Sequence, residues 1–291
     1  MTMTGDTETI MTVDAAFAHC EKITRGHYEN FPVGSALVPR ELRRHFFSIY
    51  AYSRSADDMA DEGSMPVEER IALLDDWERK LEGAYRGEAE HPIFIALAET
   101  VRERSIPIEP LRDLLKAFRM DARGAGFANT TELLYYCYHS ANPVGRLVLH
   151  LFGMHNDERR TYSDKICTAL QMANFWQDVS IDVPRGRINI PRESIDYFGY
   201  SMEELRAGVF NEGFREMMAY HVDHAMNQFQ HGYPLMRSIP LRRLRSELGL
   251  VYLGGVRILH KIKALDYNVL NTRPKLKLSD KLWMLSKLAT L

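Results

Sequence analysis

Cysteine is scarce: Cys20, Cys137 and Cys167 are the only three in 291 residues, and they lie far apart. That spacing excludes a disulfide framework and a CxxC metal site, and it fits a reducing compartment. Neither sign of charge dominates. Lys+Arg is 37 against Asp+Glu 39, a net charge of -2, so there is no basic excess to hold nucleic acid. No apolar run approaches the roughly 18 residues of a membrane-spanning helix. The opening Met1-Thr2-Met3-Thr4-Gly5-Asp6 lacks the basic start and apolar run of a signal peptide. A cytoplasmic protein is therefore expected. Strand signals are nearly absent too, and only Arg187-Ile188-Asn189-Ile190, between Gly186 and Pro191, reads as extended.

What is present is ordinary globular composition, 45% hydrophobic and 26% charged, in a chain long enough to bury a sizeable core. With 18 Gly and 12 Pro, long segments run unpunctuated, and their apolar residues recur at helical spacing. The pattern predicts helices over 12–29, 40–62, 67–88, 92–104, 108–122, 131–154, 160–183, 201–236, 241–268 and 279–290. No linker, repeat or composition shift divides them. The expected fold is all-α, one helical bundle over 1–291, with residues 1–11 disordered and a basic amphipathic tail over 275–291.

Two predicted helices carry polar stripes among apolar neighbours. In the first, Tyr50, Arg54, Asp57, Asp58 and Asp61 fall on one face. In the second, Gln171, Asn174, Asp178 and Asp182 stand at offsets of three, four and four, surrounded by Leu170, Met172, Ala173, Phe175, Trp176, Val179 and Ile181. A solvated face is usually Lys/Glu-rich with alternating sign, whereas these stripes use Asp, Asn and Gln, which are weak helix formers. Asp57 with Asp61, and Asp178 with Asp182, are like-charge pairs at i,i+4, each costing a few tenths of a kcal/mol. Such stripes are expected to face each other across a cavity. Clustered Asp oxygens suit Mg²⁺, which prefers a few carboxylates, waters and substrate phosphates. Arg54, and Arg185 and Arg187 after the second stripe, suit phosphate oxygens. Metal and arginine on a leaving diphosphate, beside an apolar cavity, is carbocation chemistry.

These motifs resemble the squalene/phytoene synthase family, all-α prenyl-coupling enzymes, over nearly the whole chain from Tyr28 to Arg273. Arg54-Ser55-Ala56-Asp57-Asp58-Met59-Ala60-Asp61-Glu62 resembles the first Asp-rich motif, and Gln171 to Asp182 the second, with Arg187 at the position of a phosphate-binding arginine. Tyr136-Cys137-Tyr138-His139-Ser140-Ala141-Asn142-Pro143-Val144-Gly145 resembles the central tyrosine segment, which puts Tyr136 on the catalytic tyrosine. The resemblance implies Mg²⁺ on Asp57, Asp58, Asp61, Glu62, Asp178 and Asp182, and diphosphate on Arg54, Arg187 and Arg273. It implies cavity roles for Tyr50, Phe31, Gln171 and Asn174. The sequence departs from the broad family at Asn142-Pro143 and at Gln177, where an arginine is usual. These departures, with Asn30-Phe31-Pro32-Val33, resemble the bacterial hydroxysqualene synthase branch, which ionises presqualene diphosphate and quenches the cation with water, a carbon–oxygen lyase reaction. That branch works beside a presqualene-diphosphate-forming synthase and a flavin-dependent hydroxysqualene reductase on the route to hopanoids.

Head-to-head coupling of two farnesyl or geranylgeranyl diphosphates to squalene or phytoene is the alternative. A non-catalytic isoprenoid-binding assembly subunit is a further one, and the retained Asp pairs argue against it. Glu88 and His91 form a single Glu-x-x-His, too little for a di-iron site. His221, His224 and His231 are read as local hydrogen-bonding groups and Arg242-Arg243-Leu244-Arg245 as a solvated helix start. For the tail, docking on the protein body is expected first and peripheral membrane contact second.

Overall fold

The structure, a computed structural model, describes residues 11–26, 38–61, 63, 65–124 and 126–288. The expected disorder of residues 1–11 falls almost wholly outside them, as do Phe31, Glu62 and the last three residues of the tail. The fold is all-α, with no strand among the described residues. Arg187 to Ile190 is irregular rather than extended pairing. No described helix is long and apolar enough to cross a membrane. The chain falls into two compact units, Met1–Ile108 and Glu109–Leu291.

The first unit contains α1 (Val13–Gly26), α2 (Arg40–Asp61), α3 (Val67–Arg86) and α4 (Pro92–Arg104). Helix α2 packs on the other three. Its inner face places Tyr52 against Trp77 of α3 and Phe94 of α4, with the Trp77–Phe94 ring centroids 4.6 Å apart. The indole N–H is satisfied by the Tyr52 carbonyl at 3.3 Å. His91 starts α4, its Nδ1 accepting from the Ile93 N–H while its ring packs on Trp77. The lone Glu-x-x-His is thus a helix cap with an aromatic contact.

The second unit runs α5 (Glu109–Arg123), α6 (Thr130–Ser140), α7 (Asn142–Leu151), α8 (Asp157–Gln177), α9 (Val179–Asp182), a 3₁₀ turn at Val183–Arg185, α10 (Arg192–Tyr197) and α11 (Met202–Ala207). It closes with α12 (Glu212–Gly232), α13 (Pro234–Ser238), α14 (Arg242–Ala264) and α15 (Leu278–Leu288). Helix α8 is its axis, burying Ala169, Met172, Ala173 and Trp176, and α7, α12 and α14 all lie against it. Each approaches at a glycine. A Cβ on Gly145 would sit 2.6 Å from Cys167 Sγ, one on Gly232 2.5 Å from Ile166 Cγ1, and one on Gly255 2.8 Å from Leu170 Cδ2. Glycine is required by proximity at these crossings.

Three predicted helices are broken. The span 131–154 divides at Ala141, because Pro143 supplies no N–H and sits in the first turn of α7. The span 160–183 stops at Gln177, and Asp178 adopts φ -98, ψ 6 before α9 resumes. The span 201–236 stops at Gly208 in the left-handed region (φ 66) and restarts at Asn211, whose side chain caps the Phe214 N–H. The tail docks as first expected: α15 buries Met284 and Asp280 against the second unit.

Candidate active site

In the first unit the acidic stripe of α2 is bridged by its own arginine. Arg54 Nη1 lies 3.1 Å from Asp57 Oδ2 and Nη2 2.5 Å from Asp58 Oδ1. Spacings of three and four residues bring these groups together on one helix face. Ala56 and Ala60 fill the opposite, buried face, while the Asp57 side chain keeps 44% of its exposure and Asp61, the last residue of α2, is exposed. Tyr50 stacks on Phe46 one turn earlier. Burial pushes its phenol up, and the Arg54 charge opposes that shift.

In the second unit the break at Asp178 sets the geometry. Arg273 grips both carboxylate oxygens of Asp178, Nε to Oδ1 and Nη2 to Oδ2 at 3.2 Å. The Asp178 bond holds the Arg273 guanidinium above its usual range. Gln177 pins the same strip of chain, donating from Nε2 to the Pro274 carbonyl at 2.6 Å. Gln177 thus has a definite structural role. Asp182 is half-buried and accepts from Asn189 Nδ2 at 3.0 Å. Burial and then the Asp178 charge push its carboxyl up, against the pull of Arg187 and Arg185. Gly186 turns the chain with φ 78, and the Arg187 N–H returns to the Asp182 carbonyl at 3.0 Å. Gln171 is half-buried, while Asn174 is exposed.

Tyr136 lies between the rings of Phe127 (5.4 Å) and Phe175 (5.9 Å) and donates to Asp121 Oδ2 at 3.2 Å. Burial, reinforced by the Asp121 charge, raises its phenol well above the ordinary tyrosine range, so it is a neutral donor at physiological pH. Beneath this segment Asp113 accepts from His139 Nδ1 at 3.0 Å and faces Arg146, whose guanidinium forks onto Asp164 at 3.0 and 2.7 Å. Arg146 also covers the Tyr138 ring at 4.3 Å. This network fastens α5, α6, α7 and α8 under Tyr136. Asn142 joins it to α8 by accepting from Thr168 Oγ1 at 3.0 Å.

The sequence pattern misses Asp121, Asn189 and the Asp113–Arg146–Asp164 network. None shares a helix face with the group it serves, so no periodicity reveals them. Of the histidines, His231 bonds the Asn227 carbonyl, and His221 packs its ring 4.6 Å from Trp176. No group of three or more His, Cys, Asp or Glu set for a metal occurs among the described residues. The acidic segments nonetheless suit a hard cation. They offer oxygen donors, chiefly carboxylates, and burial with the neighbouring Asp178 charge disfavours the ionised form of Asp182, a cost that a bound cation would offset.

The sequence model of the Squalene/phytoene synthase family matches residues 24–280. The 15-cis-phytoene synthase of Synechocystis sp. is 30% identical over 274 residues, covering 90% of this chain and 81% of its own length. Among solved structures, squalene synthase HpnC from Alicyclobacillus acidocaldarius is 42% identical with a TM-score of 0.83, covering 88% of this chain and 96% of its own. A dehydrosqualene synthase solved with ligand has the same fold at 22% identity, with a TM-score of 0.82 and 96% of each chain covered. The two Asp-rich segments, the tyrosine segment and the all-α fold all lie within the matched region, and the chain belongs to the squalene/phytoene synthase family, whose members are isoprenoid-coupling enzymes that use divalent metal.

Proposed function

We propose that the protein converts presqualene diphosphate and water to hydroxysqualene and diphosphate. The observation that carries this reading is the 42% identity to squalene synthase HpnC, well above the 30% to a phytoene synthase. The Asn142-Pro143 and Gln177 departures support it, each being built into a specific contact.

In this reaction the carbon–oxygen bond to diphosphate breaks with its electron pair leaving on the phosphate oxygen. The cyclopropylcarbinyl cation rearranges, a water oxygen bonds to it, and the water proton is released. Asp57, Asp58, Asp61, Glu62, Asp178 and Asp182 would hold Mg²⁺, which when bound stabilises the charge of the departing diphosphate. Arg54 and Arg273 neutralise carboxylates within their own units, and both would exchange those partners for phosphate oxygens, a ligand that Arg187 would also take. Tyr136 and Tyr50 would offer ring π-electrons to the cation, the role that the family resemblance also gives Phe31. Gln171 and Asn174 orient water or diphosphate. The reaction needs no reductant. It takes its substrate from a presqualene-diphosphate-forming synthase and passes its product to a flavin-dependent hydroxysqualene reductase, for hopanoid synthesis in the cytoplasm.

Incubation with presqualene diphosphate and Mg²⁺, without reductant, is expected to give hydroxysqualene by mass spectrometry. Farnesyl diphosphate alone is expected to give nothing. The relationship to phytoene synthases favours head-to-head coupling as the second reading, and a hydrocarbon or cyclopropyl product from a single prenyl diphosphate would establish it in place of the first.

A further inference from the structure

Helix α15 has two faces with opposite fates. Asp280, 1% exposed, turns inward and is held by Arg257 Nε at 2.7 Å, Lys261 Nζ at 2.8 Å and the Lys277 N–H at 2.7 Å. Met284, one turn on, is buried with it, and Arg257 covers the Trp283 ring at 5.2 Å. The helix is therefore fixed on the body by α14. Its outer face carries Leu278, Leu282 and Leu285 at offsets of four and three, and these are 73%, 61% and 56% exposed. Leucines on consecutive turns make a continuous apolar ridge, unlike the scattered exposed residues of an ordinary surface. Lys275, Lys277 and Lys281 are exposed alongside it. The single acid between 275 and 288 is the buried, already paired Asp280, so the outward charge is all positive.

We infer that the Leu278–Leu282–Leu285 ridge of α15, flanked by Lys275, Lys277 and Lys281, docks on the surface of an anionic lipid bilayer. Leucines entering the headgroup boundary with lysines against acidic headgroups is the pattern of an interfacial helix. Charge argues against a second copy as the occupant, because pairing this face with itself brings lysine against lysine. The helix also begins only five residues after Arg273, which grips Asp178, a reach of at most about 17 Å of extended chain. Docking here holds the second acidic segment close to the bilayer in which isoprenoid substrates dissolve.

Co-sedimentation of the full chain tests this, using vesicles of phosphatidylcholine alone and of phosphatidylcholine with phosphatidylglycerol. Binding to the anionic vesicles is expected, and added salt should weaken it. L282Q/L285Q should lower the partition about tenfold or more. K275Q/K277Q/K281Q should do the same on anionic vesicles only. Both variants should melt like the parent, because every substituted side chain is exposed and the Asp280 anchor is untouched. The inference is overturned if the parent stays in the supernatant with anionic vesicles, or if the leucine variant sediments unchanged. A dimer in light scattering that L282Q/L285Q dissolves, with no vesicle binding, would instead make a second copy the occupant. No substrate is present, so the result is independent of the reaction assigned above.

Discussion

The two aspartates of the second segment, four residues apart, are in different electrostatic conditions, and they should respond differently to neutralisation. Asp178 is held by the Arg273 fork, so Asp178→Asn removes an attraction and leaves a guanidinium without its partner. Asp182 has its carboxyl pushed up by burial and by Asp178, so its native form binds a proton more tightly than the unfolded chain does. For such a group stability falls as pH rises through the interval between the unfolded and folded values, and the cost is fully present at neutral pH. Without metal at pH 7, Asp182→Asn should therefore melt at or above the parent and should flatten the acid limb of the stability profile. Asp178→Asn should lose about 1 kcal/mol. Both should lower turnover of presqualene diphosphate at least about a hundredfold, the scale expected when a group stabilising the developing charge is lost. Melting in EDTA across pH 4–8 reads the first two, and an equal fall in both variants would show that Asp182 carries no charge penalty.

Legibility differs from one element to the next. The acidic segment of α2 was readable because Arg54, Asp57 and Asp58 meet through helical spacing alone, which sequence displays directly. The acidic segment of α8–α9 was readable only as a stripe. Its break at Asp178 has no glycine or proline to announce it, and the groups that hold the broken segment, Arg273 and Pro274, come from 95 or more residues away. The break at Ala141 was visible as Pro143, although a proline marks either a start or a kink. Helix contacts show the same limit. Gly254 and Gly255 look equivalent in sequence, yet a Cβ on Gly255 would sit 2.4 Å from the Phe229 ring, whereas one on Gly254 would meet Met284 at an ordinary 3.5 Å. Gly255→Ala should thus cost about 1–3 kcal/mol through overpacking. Gly254→Ala should gain up to about 1 kcal/mol from helix propensity. Urea midpoints that moved in the same direction for both would refute this account of how α14 lies on α8 and α12.

Across the molecule, near-neutral net charge conceals local pairing: each acidic segment is already partly balanced by an arginine from its own unit. Mg²⁺ added alone must compete with those guanidinium groups for the carboxylates. Diphosphate added alone meets carboxylates that repel it. Supplied together, each would relieve the other's obstacle, since on the proposed function the metal would take the carboxylates and the freed arginines would take the phosphate oxygens. Binding should therefore be synergistic. Saturation at a hundred times the dissociation constant contributes about 2.7 kcal/mol, which in a chain of this size raises the melting midpoint by several degrees. Mg²⁺ or pyrophosphate singly should shift it little, and EDTA should abolish the joint effect. The Asp182→Asn protein discriminates further, because it would lose one of the proposed metal-binding carboxylates but no arginine: it should retain the small response to pyrophosphate and lose most of the joint shift. A full shift with pyrophosphate alone would mean that the arginines suffice and that the aspartates serve only to hold them in place.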